Sequence, residues 1–145
     1  MKLLTFKGGI HPPYGKEYAN KKPIEKAAAP AKVYIPLQQH IGAPAKCIVA
    51  VGDEVKLGQK IGEAQGFVSS NIHSSVSGVV KAIELCGVPN GTAMCVVIEN
   101  DFKEEPHESV KPHGDIADLS KEEIVGIVKE AGILGMGGAT FPNHV

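Results

Sequence analysis

The chain of 145 residues contains no tryptophan, and aromatic residues make up only 5% of it. Its formal net charge is only −1, so we expect no basic surface that would recruit nucleic acid. Its three cysteines form no C-x-x-C pair, and we interpret them as small buried hydrophobic residues in a reducing compartment. They are Cys47, Cys86 and Cys95. Because the net charge is close to zero, we expect no nucleic-acid partner for this chain.

Long hydrophobic runs are missing as well. No apolar run approaches the ~20 residues that a membrane helix needs, and the first nine residues lack the apolar stretch of a signal peptide. Hydrophobic residues at 43% and charged residues at 21% are typical of a globular domain with a core of its own. We therefore expect no direct membrane span, and any membrane role would come through a partner.

Glycine and proline are plentiful instead, with 17 and 10 residues, and this favours short strands over long helices. Strand-like segments recur at 33–37, 47–51, 54–57, 60–64, 68–73, 76–85 and 94–99. Pro36 indicates an edge strand because proline cannot donate to a ladder, and Asn90-Gly91 indicates a hairpin turn. The pattern predicts a mainly β domain at 32–100, preceded by an irregular arm at 1–31 that wraps it and followed by a charged linker at 101–118.

One helix is predicted in the last part of the chain. Ser120 is a good N-cap, and Glu123 three residues later completes a capping box. Gly132 lies where a C-terminal glycine stop is expected. The apolar residues between them fall on one face at helical spacing. They are Ile124, Ile127, Val128 and Ala131. A helix of this length is marginal alone and needs a partner surface.

The central stretch from Gly52 to Ile61 reads G-D-x-V-x-x-G-Q-x-I, and S-G-x-V follows at Ser77. This pattern resembles the biotinyl and lipoyl carrier fold, a flattened barrel-sandwich hybrid. Such a carrier attaches its cofactor to a lysine at an exposed turn, but the corresponding segment 63–72 contains no lysine. Lys60 and Lys81 lie in the flanking strands, so covalent carrier function is not expected.

Histidines and glycines suggest two further candidate sites. A metal site would have to combine His11, His40 and His73, but no pair has short ligand spacing, and structural or solvated roles are favoured.

After the predicted helix, residues 132–142 form a glycine-rich segment that is neither a Walker A loop nor a G-x-G-x-x-G opening. Such glycines let a backbone approach an anion closely and reach positive φ angles.

Four stretches in order carry a family resemblance: FKGGIHPP at 6–13, PLQQHIGAP at 36–44, IHSSVSG at 72–78 and AGILGMGGATFP at 131–142. Together they closely resemble the N-terminal part of the RnfC family, whose members are subunits of the Rnf electron transport complex. The last stretch also resembles the flavin-binding glycine loop of the NADH-oxidising subunit of respiratory complex I. The match spans nearly the whole chain.

The resemblance implies a subunit several times longer, in which a barrel-sandwich domain precedes a flavin- and NADH-binding domain and a ferredoxin-like domain. Residues 119–145 would then be the truncated start of the flavin domain. Its loop residues would contact a flavin phosphate or a dinucleotide through their backbone, and Thr140 stands where glycine is common. They are Gly135, Gly137, Gly138, Ala139 and Thr140. FMN, NADH and two 4Fe-4S clusters are implied for the full-length subunit, and no cofactor is expected in this chain.

The leading hypothesis is thus a non-catalytic assembly module of a ferredoxin:NAD oxidoreductase that translocates ions. It would lie peripherally on the cytoplasmic face of the cell membrane and contact the other subunits of the complex. One alternative is a free-standing lipoyl-like module that grips a protein partner through a turn at Phe67, without a covalent cofactor. A second alternative is a small flavin- or nucleotide-binding enzyme that uses the tail loop.

Overall fold

A computed structural model describes residues 8–10, 12–89 and 91–145. Within these ranges the chain forms seven strands and one α-helix, with 3-10 turns at Lys16–Tyr18 and Ile116–Asp118. The strands are β1 (Lys32–Pro36), β2 (Lys46–Cys47), β3 (Glu54–Val55), β4 (Lys60–Glu63), β5 (Ile72–His73), β6 (Gly78–Val88) and β7 (Gly91–Asn100). The helix α1 spans Lys121–Glu130. The fold is mainly β, as predicted.

The strands form two antiparallel sheets. The larger sheet has the order β1-β7-β6-β3, and the smaller has the order β2-β4-β5. The long hairpin of β6 and β7 supports the larger sheet, and its pairing shifts register between Val80 and Ala82. An extra residue of this kind increases the local twist of the strand. The hairpin therefore curls around the core instead of lying flat.

The core lies between the two sheets and is built from inward-facing aliphatic side chains of both. Ile61 of β4 is fully buried, as are Val80 of β6 and Ile98 of β7. The remaining core members are Ile35, Leu37, Ala45, Val55, Ile72 and Val96. The sequence correctly placed Val55 and Ile61 inside, because both alternate with polar neighbours.

Three predicted strands are shorter in the structure, and at 54–57 only Glu54 and Val55 are in a strand. At 47–51 only Cys47 pairs in a sheet, because the Asp53 carboxylate accepts a 2.8 Å hydrogen bond from the Ala50 backbone N–H and the chain turns there. At 68–73 only Ile72 and His73 are in a strand. The Ser69 hydroxyl bonds to loop backbone groups in this segment, and such local bonds compete with a ladder.

The edge position of Pro36 is confirmed, since β1 lies at one edge of the larger sheet. The predicted hairpin is also confirmed by the pairing of Val88 with Gly91. Asn90, the other residue of the predicted turn, lies outside the described residues, as do His11 and the first seven residues.

The arm does not wrap the domain over 12–30, where every residue except the half-buried Gly15 is exposed. Its end is held by Asn100, whose backbone N–H donates to the Ala31 carbonyl at 2.9 Å and whose side chain donates to the Pro30 carbonyl at 3.0 Å. The proline and lysine content of the arm offers few side chains that could be buried.

The segment after β7 is held against the barrel at several points. The Leu57 backbone donates to the Glu105 carbonyl and accepts from the His107 N–H, each at 2.9 Å. The Ser77 hydroxyl donates to Asp101 at 2.6 Å. These bonds tie 101–107 to the strands.

Candidate functional site

The turn between β4 and β5 lies where a carrier protein would bear its modified lysine. Here it is held by buried polar side chains. The Ser69 hydroxyl accepts from the Gln65 N–H at 2.9 Å and donates to the Ala43 carbonyl at 2.8 Å. The Asn71 amide oxygen accepts from the Ala64 N–H at 3.0 Å. Ser69 is fully buried, while Phe67 at the tip is 76% exposed.

His40 connects this turn to the loop after β1. The ring is buried, its Nδ1 lies 2.9 Å from the Ile41 carbonyl oxygen, and its Nε2 accepts from the Ser70 N–H at 3.1 Å. This arrangement assigns the proton to Nδ1 and leaves Nε2 as the acceptor. His40 therefore has the structural role predicted from the sequence.

The same turn seats the end of α1. The Asn71 amide Nδ2 points at the last carbonyls of the helix, those of Lys129 and Glu130, at 3.5 Å each. Lys60 forms a 2.7 Å ion pair with Glu130. Both donors lie at the helix end where unpaired carbonyls and the negative end of the dipole are found. The barrel thus supplies a complementary surface for the C-terminus of the helix.

Gly132 completes this contact site for the helix end, which we call the helix seat and which consists of Lys60, Asn71 and Gly132. Its N–H donates to the Lys129 carbonyl at 3.1 Å, and the next N–H, that of Ile133, donates to the Val128 carbonyl at 3.3 Å. With a φ of 67° at Gly132 this is a Schellman ending. A Cβ at Gly132 would overlap the backbone carbonyl of Asn71. The predicted helix stop is therefore also a point of close backbone contact between the helix end and the barrel.

The electrostatics of the seat follow from its geometry. The hydrogen bond from Lys60 holds the pKa of the Glu130 carboxyl below its ordinary value, against the opposing effect of burial. His73 lies half-buried beside both groups. Burial lowers the pKa of the His73 imidazole, and the charge of Lys60 lowers it further, while Glu130 acts in the opposite direction. The uncharged form of His73 is thus the one that the fold favours.

The glycine-rich segment forms a tight reversing loop directly after the seat. Leu134 pairs with Pro142, and the Gly135 N–H donates to the Phe141 carbonyl at 2.8 Å. Pro142 is fully buried and fixes the returning chain. The five predicted site residues all lie in this one loop. They are Gly135, Gly137, Gly138, Ala139 and Thr140.

The loop differs from expectation in one respect. The expected positive φ angle is found at Thr140, at 45°, and at none of the loop glycines from 135 to 138. The Thr140 N–H donates to the Gly137 carbonyl at 3.1 Å and closes the turn. A Cβ added at Gly137 or Gly138 would meet nothing within 4 Å. Packing within the described chain therefore does not require glycine at either position.

The fold agrees with what known proteins of similar sequence indicate. A profile of the family described as the RnfC barrel sandwich hybrid domain matches residues 4–103. The chain belongs to this family. The RnfC barrel domain thus has the carrier-like fold that the sequence indicated, with a turn that seats a helix in place of a modified lysine.

Relatives of the RnfC barrel domain are named as subunits of redox complexes. The chain is 48% identical to the subunit designated C of the proton-translocating ferredoxin:NAD(+) oxidoreductase complex of Clostridium ljungdahlii, with 99% of the chain aligned. It is 49% identical to the subunit of the same designation in the Na(+)-translocating complex of Acetobacterium woodii, with 97% aligned. The corresponding subunit of the ion-translocating oxidoreductase complex of Vibrio cholerae is 40% identical over 97% of the chain. The chain spans 32% of the length of the first two and 18% of the third.

Two features are absent from the described residues 8–10, 12–89 and 91–145. No cluster of three or more histidine, cysteine, aspartate or glutamate side chains is arranged to hold a metal ion there. No helix in those residues has the length and apolar character needed to cross a bilayer.

The sequence missed the seat itself. Lys60 and Glu130 are 70 residues apart, and neither shows any local sign of the other. Asn71 lies next to a recognised motif, and the signal that could have found it is a polar residue in the segment 63–72, where the carrier resemblance expects a lysine. The fit of Gly132 against Asn71 depends on tertiary structure alone.

Proposed function

We propose that this chain is the barrel module of the NADH-side subunit of an ion-translocating ferredoxin:NAD oxidoreductase of the membrane. Its own role in that complex is assembly, and it is not catalytic by itself. The names of the relatives support the setting, since all three are named as subunits of ion-translocating oxidoreductase complexes. The activity of the whole complex is part of the proposal, because the chain covers about a third of its first relatives.

The observation that carries the assembly role is the seat for α1. The turn that a carrier uses for chemistry here holds the helix end through Asn71, Lys60 and the close contact at Gly132. The glycine loop begins at the next residues, so its position depends on the barrel. In this proposal the module supports and presents the loop.

The loop is suited to an anionic group of a cofactor. Among the described residues, the backbone N–H groups from Met136 to Ala139 donate to no other group of the chain. Successive backbone N–H groups that converge in a turn can bind an anion. In the proposal the loop contacts the phosphate of FMN or of a dinucleotide, and a bound flavin would exchange electrons with NADH. The 4Fe-4S clusters of such a subunit would be bound outside this chain.

The proposed location is the cytoplasmic face of the membrane, reached through other subunits. The exposed arm at 12–30 and the Phe67 tip are the surfaces offered for those contacts, since their apolar side chains are open to solvent.

A charge-reversal series tests the support role in cells that make the complex. Lys60→Glu would place a second carboxylate against Glu130, and Glu130→Lys in the same chain would restore an opposite pair. We expect the single variant to reduce the amount of assembled complex a few-fold, with normal NADH oxidation per complex, and the double variant to recover it. Lys81→Glu is the matched control, because Lys81 pairs at 2.7 Å with Glu99 on the larger sheet.

The readouts are the amount of the RnfC protein on membranes and NADH oxidation per assembled complex. Normal assembly with lost turnover in Lys60→Glu would contradict the proposal, since it would place the barrel in the chemistry.

A second function, a free-standing protein-binding module, is favoured by the 76% exposure of Phe67. It predicts that the chain alone captures a partner in a manner abolished by Phe67→Ser. The leading proposal predicts instead that Phe67→Ser changes contacts only within the redox complex. Cross-linking from position 67 in cells, followed by mass spectrometry of the captured protein, separates the two.

A further inference from the structure

Two of the three cysteines lie side by side on the long β6–β7 hairpin. Cys86 of β6 lies opposite Ala93 of β7 in the ladder, and Cys95 of β7 lies opposite Glu84 of β6. Because residues two apart in a strand face the same side of a sheet, the two cysteines project from one face as diagonal neighbours. The third cysteine, Cys47, is in the smaller sheet. The pairing of the hairpin thus places two thiols together.

The two sulfur atoms also lean toward each other. The Cys86 thiol donates to the Glu84 carbonyl at 3.9 Å, and Glu84 is the residue that faces Cys95. The Cys95 thiol donates to the Ala93 carbonyl at 3.5 Å, and Ala93 is the residue that faces Cys86. Each side chain is therefore turned along its own strand to the level of the other cysteine, and the sulfur atoms converge between the strands.

The two thiols differ in their access to solvent. Cys95 is fully buried, as we expected for the cysteines, whereas Cys86 is partly exposed. Burial raises the pKa of the Cys95 thiol, and its hydrogen bond with the Cys86 thiol raises it further. Cys95 is therefore held as a protonated thiol beneath the surface, and Cys86 is the thiol that a dissolved oxidant meets first.

We propose that Cys86 and Cys95 form a reversible oxidation site, in which a peroxide converts the two thiols into a disulfide across the hairpin. This site lies outside the assembly role proposed above and does not depend on it. An accessible cysteine beside a second thiol that resolves its oxidised form is the arrangement of thiol-based redox sensors. Disulfides that form in a reducing compartment are usually of this transient kind.

The oxidation takes two steps. The Cys86 thiolate attacks hydrogen peroxide, so that a sulfur–oxygen bond forms, the oxygen–oxygen bond breaks, and the departing hydroxide takes up the thiol proton as water. The Cys95 sulfur then attacks the sulfur of the resulting sulfenic acid, so that a sulfur–sulfur bond forms and the sulfur–oxygen bond breaks. The second hydroxide leaves with the Cys95 proton, again as water. Two thiols lose two electrons to one peroxide, and the products are one disulfide and two water molecules.

The diagonal position makes this disulfide easy to reduce. Diagonal neighbours on antiparallel strands are roughly 7–8 Å apart, whereas the Cα atoms of a relaxed disulfide are roughly 4.4–6.8 Å apart. The strands must therefore approach each other when the bond forms. The pairing of β1 with β7 ends at Cys95, and among the described strands only β6 and β7 continue beyond it, so this end of the hairpin can adjust. A strained disulfide has a higher reduction potential than a relaxed one.

The test oxidises the folded chain of 145 residues with hydrogen peroxide and locates the products by peptide mapping with mass spectrometry. We expect a disulfide between Cys86 and Cys95, lighter by two hydrogen atoms, while Cys47 forms none. Tethered groups act at an effective concentration in the mM range, so at about 10 μM protein this disulfide should exceed cross-links between chains by about a hundredfold. A large excess of reduced over oxidised glutathione should then restore both thiols.

Three variants assign the role of each thiol. Cys95→Ala keeps a small apolar group at the buried position and removes the second thiol, so oxidation should stop at a Cys86 sulfenic acid that dimedone traps. Cys86→Ser should leave Cys95 reduced, because Cys95 is buried. Cys47→Ser is the matched control and should form the disulfide to the same extent as the unchanged chain.

Three results would overturn the inference. If Cys86 in the unchanged chain stays a thiol, or stops at a sulfenic acid trapped by dimedone, the two thiols do not react as a pair. Disulfides to Cys47 in equal amount would show that the hairpin does not direct the pairing. A disulfide between Cys86 and Cys95 that survives the glutathione mixture would be a permanent cross-link and not a reversible oxidation site.

Discussion

The backbone carbonyl of Asn71 lies against the Cα of Gly132, so closely that no side chain fits between them. The contact joins the turn of the barrel to the end of α1, two parts of the chain that no sheet connects. It also fixes the residue after which the glycine loop begins. Replacement of Gly132 is therefore the most direct way to separate the loop from the barrel.

Gly132→Ala should destabilise the seat by at least about 2 kcal/mol, because a Cβ is strained at this φ of 67° and overlaps the Asn71 carbonyl. Amide hydrogen exchange across 121–135 measures the opening of the helix. Gly126→Ala is the matched control, since a Cβ there meets nothing within 4 Å. The control should stabilise the helix by up to about 1 kcal/mol. Equal protection in both variants would show that the contact has no role in holding the helix.

Thr140→Gly should stabilise the chain by about 1 kcal/mol. The strained conformation of Thr140, with φ at 45°, costs roughly 1–3 kcal/mol. That exceeds the roughly 0.5–1 kcal/mol by which the greater freedom of glycine opposes folding. Urea unfolding measures the change, and Thr140→Ala is the control because it keeps the Cβ and the strain. A loss of stability in Thr140→Gly would mean that the threonine side chain makes a stabilising contact that outweighs the strain.

Gly78→Ala should destabilise the barrel by about 3 kcal/mol or more, a loss that only a small set of mechanisms produces. Gly78 starts β6 opposite Asn100, and a Cβ there would overlap the backbone carbonyl of Glu99. Gly87→Ala, in the same strand, would meet nothing within 4 Å and should change stability by no more than about 0.5 kcal/mol. Thermal unfolding compares the two. A similar melting temperature in both variants would contradict the close approach at Gly78.

The fold could be predicted from the sequence because its signals are local. Turn glycines separate short apolar runs, and Gly52 and Gly58 do have positive φ angles, of 97° and 78°. The capping box is also local, with the Ser120 hydroxyl accepting from the Glu123 N–H at 3.2 Å. The prediction failed at 47–51 and 68–73, where side chains bond to the backbone and replace strand pairing.

The seat could not be predicted, because its partners meet only in three dimensions. Lys60 and Glu130 are separated by the whole of the β6–β7 hairpin, and nothing in either neighbourhood indicates the pair. The predicted site residues lie together in one loop, and their role in binding stays a prediction. We expected the loop glycines to adopt the positive φ angle of the loop, but in the structure that angle is found at Thr140.

The seat also predicts a pH dependence through His73. Burial, aided by Lys60, lowers the folded-state pKa of His73 below its ordinary value near 6.5. Between these two pKa values the unfolded chain binds the proton more readily, so protonation favours unfolding. The contribution of neutral His73 to the stability of the folded chain is complete above pH about 6.5, and it is lost as the pH falls through the folded-state pKa. Glu130 titrates at lower pH and does not contribute to this window.

His73→Gln should therefore reduce the loss of unfolding free energy between about pH 7.5 and pH 5. The glutamine removes the proton uptake while it keeps a polar side chain of similar length. His113→Gln is the control, since His113 is exposed, and it should leave the pH dependence as in the unchanged chain. Urea unfolding at the two pH values gives the difference for each variant. If both variants showed the same dependence as the unchanged chain, His73 would not be held in its neutral form by the fold, and the seat would lack this sensitivity to pH.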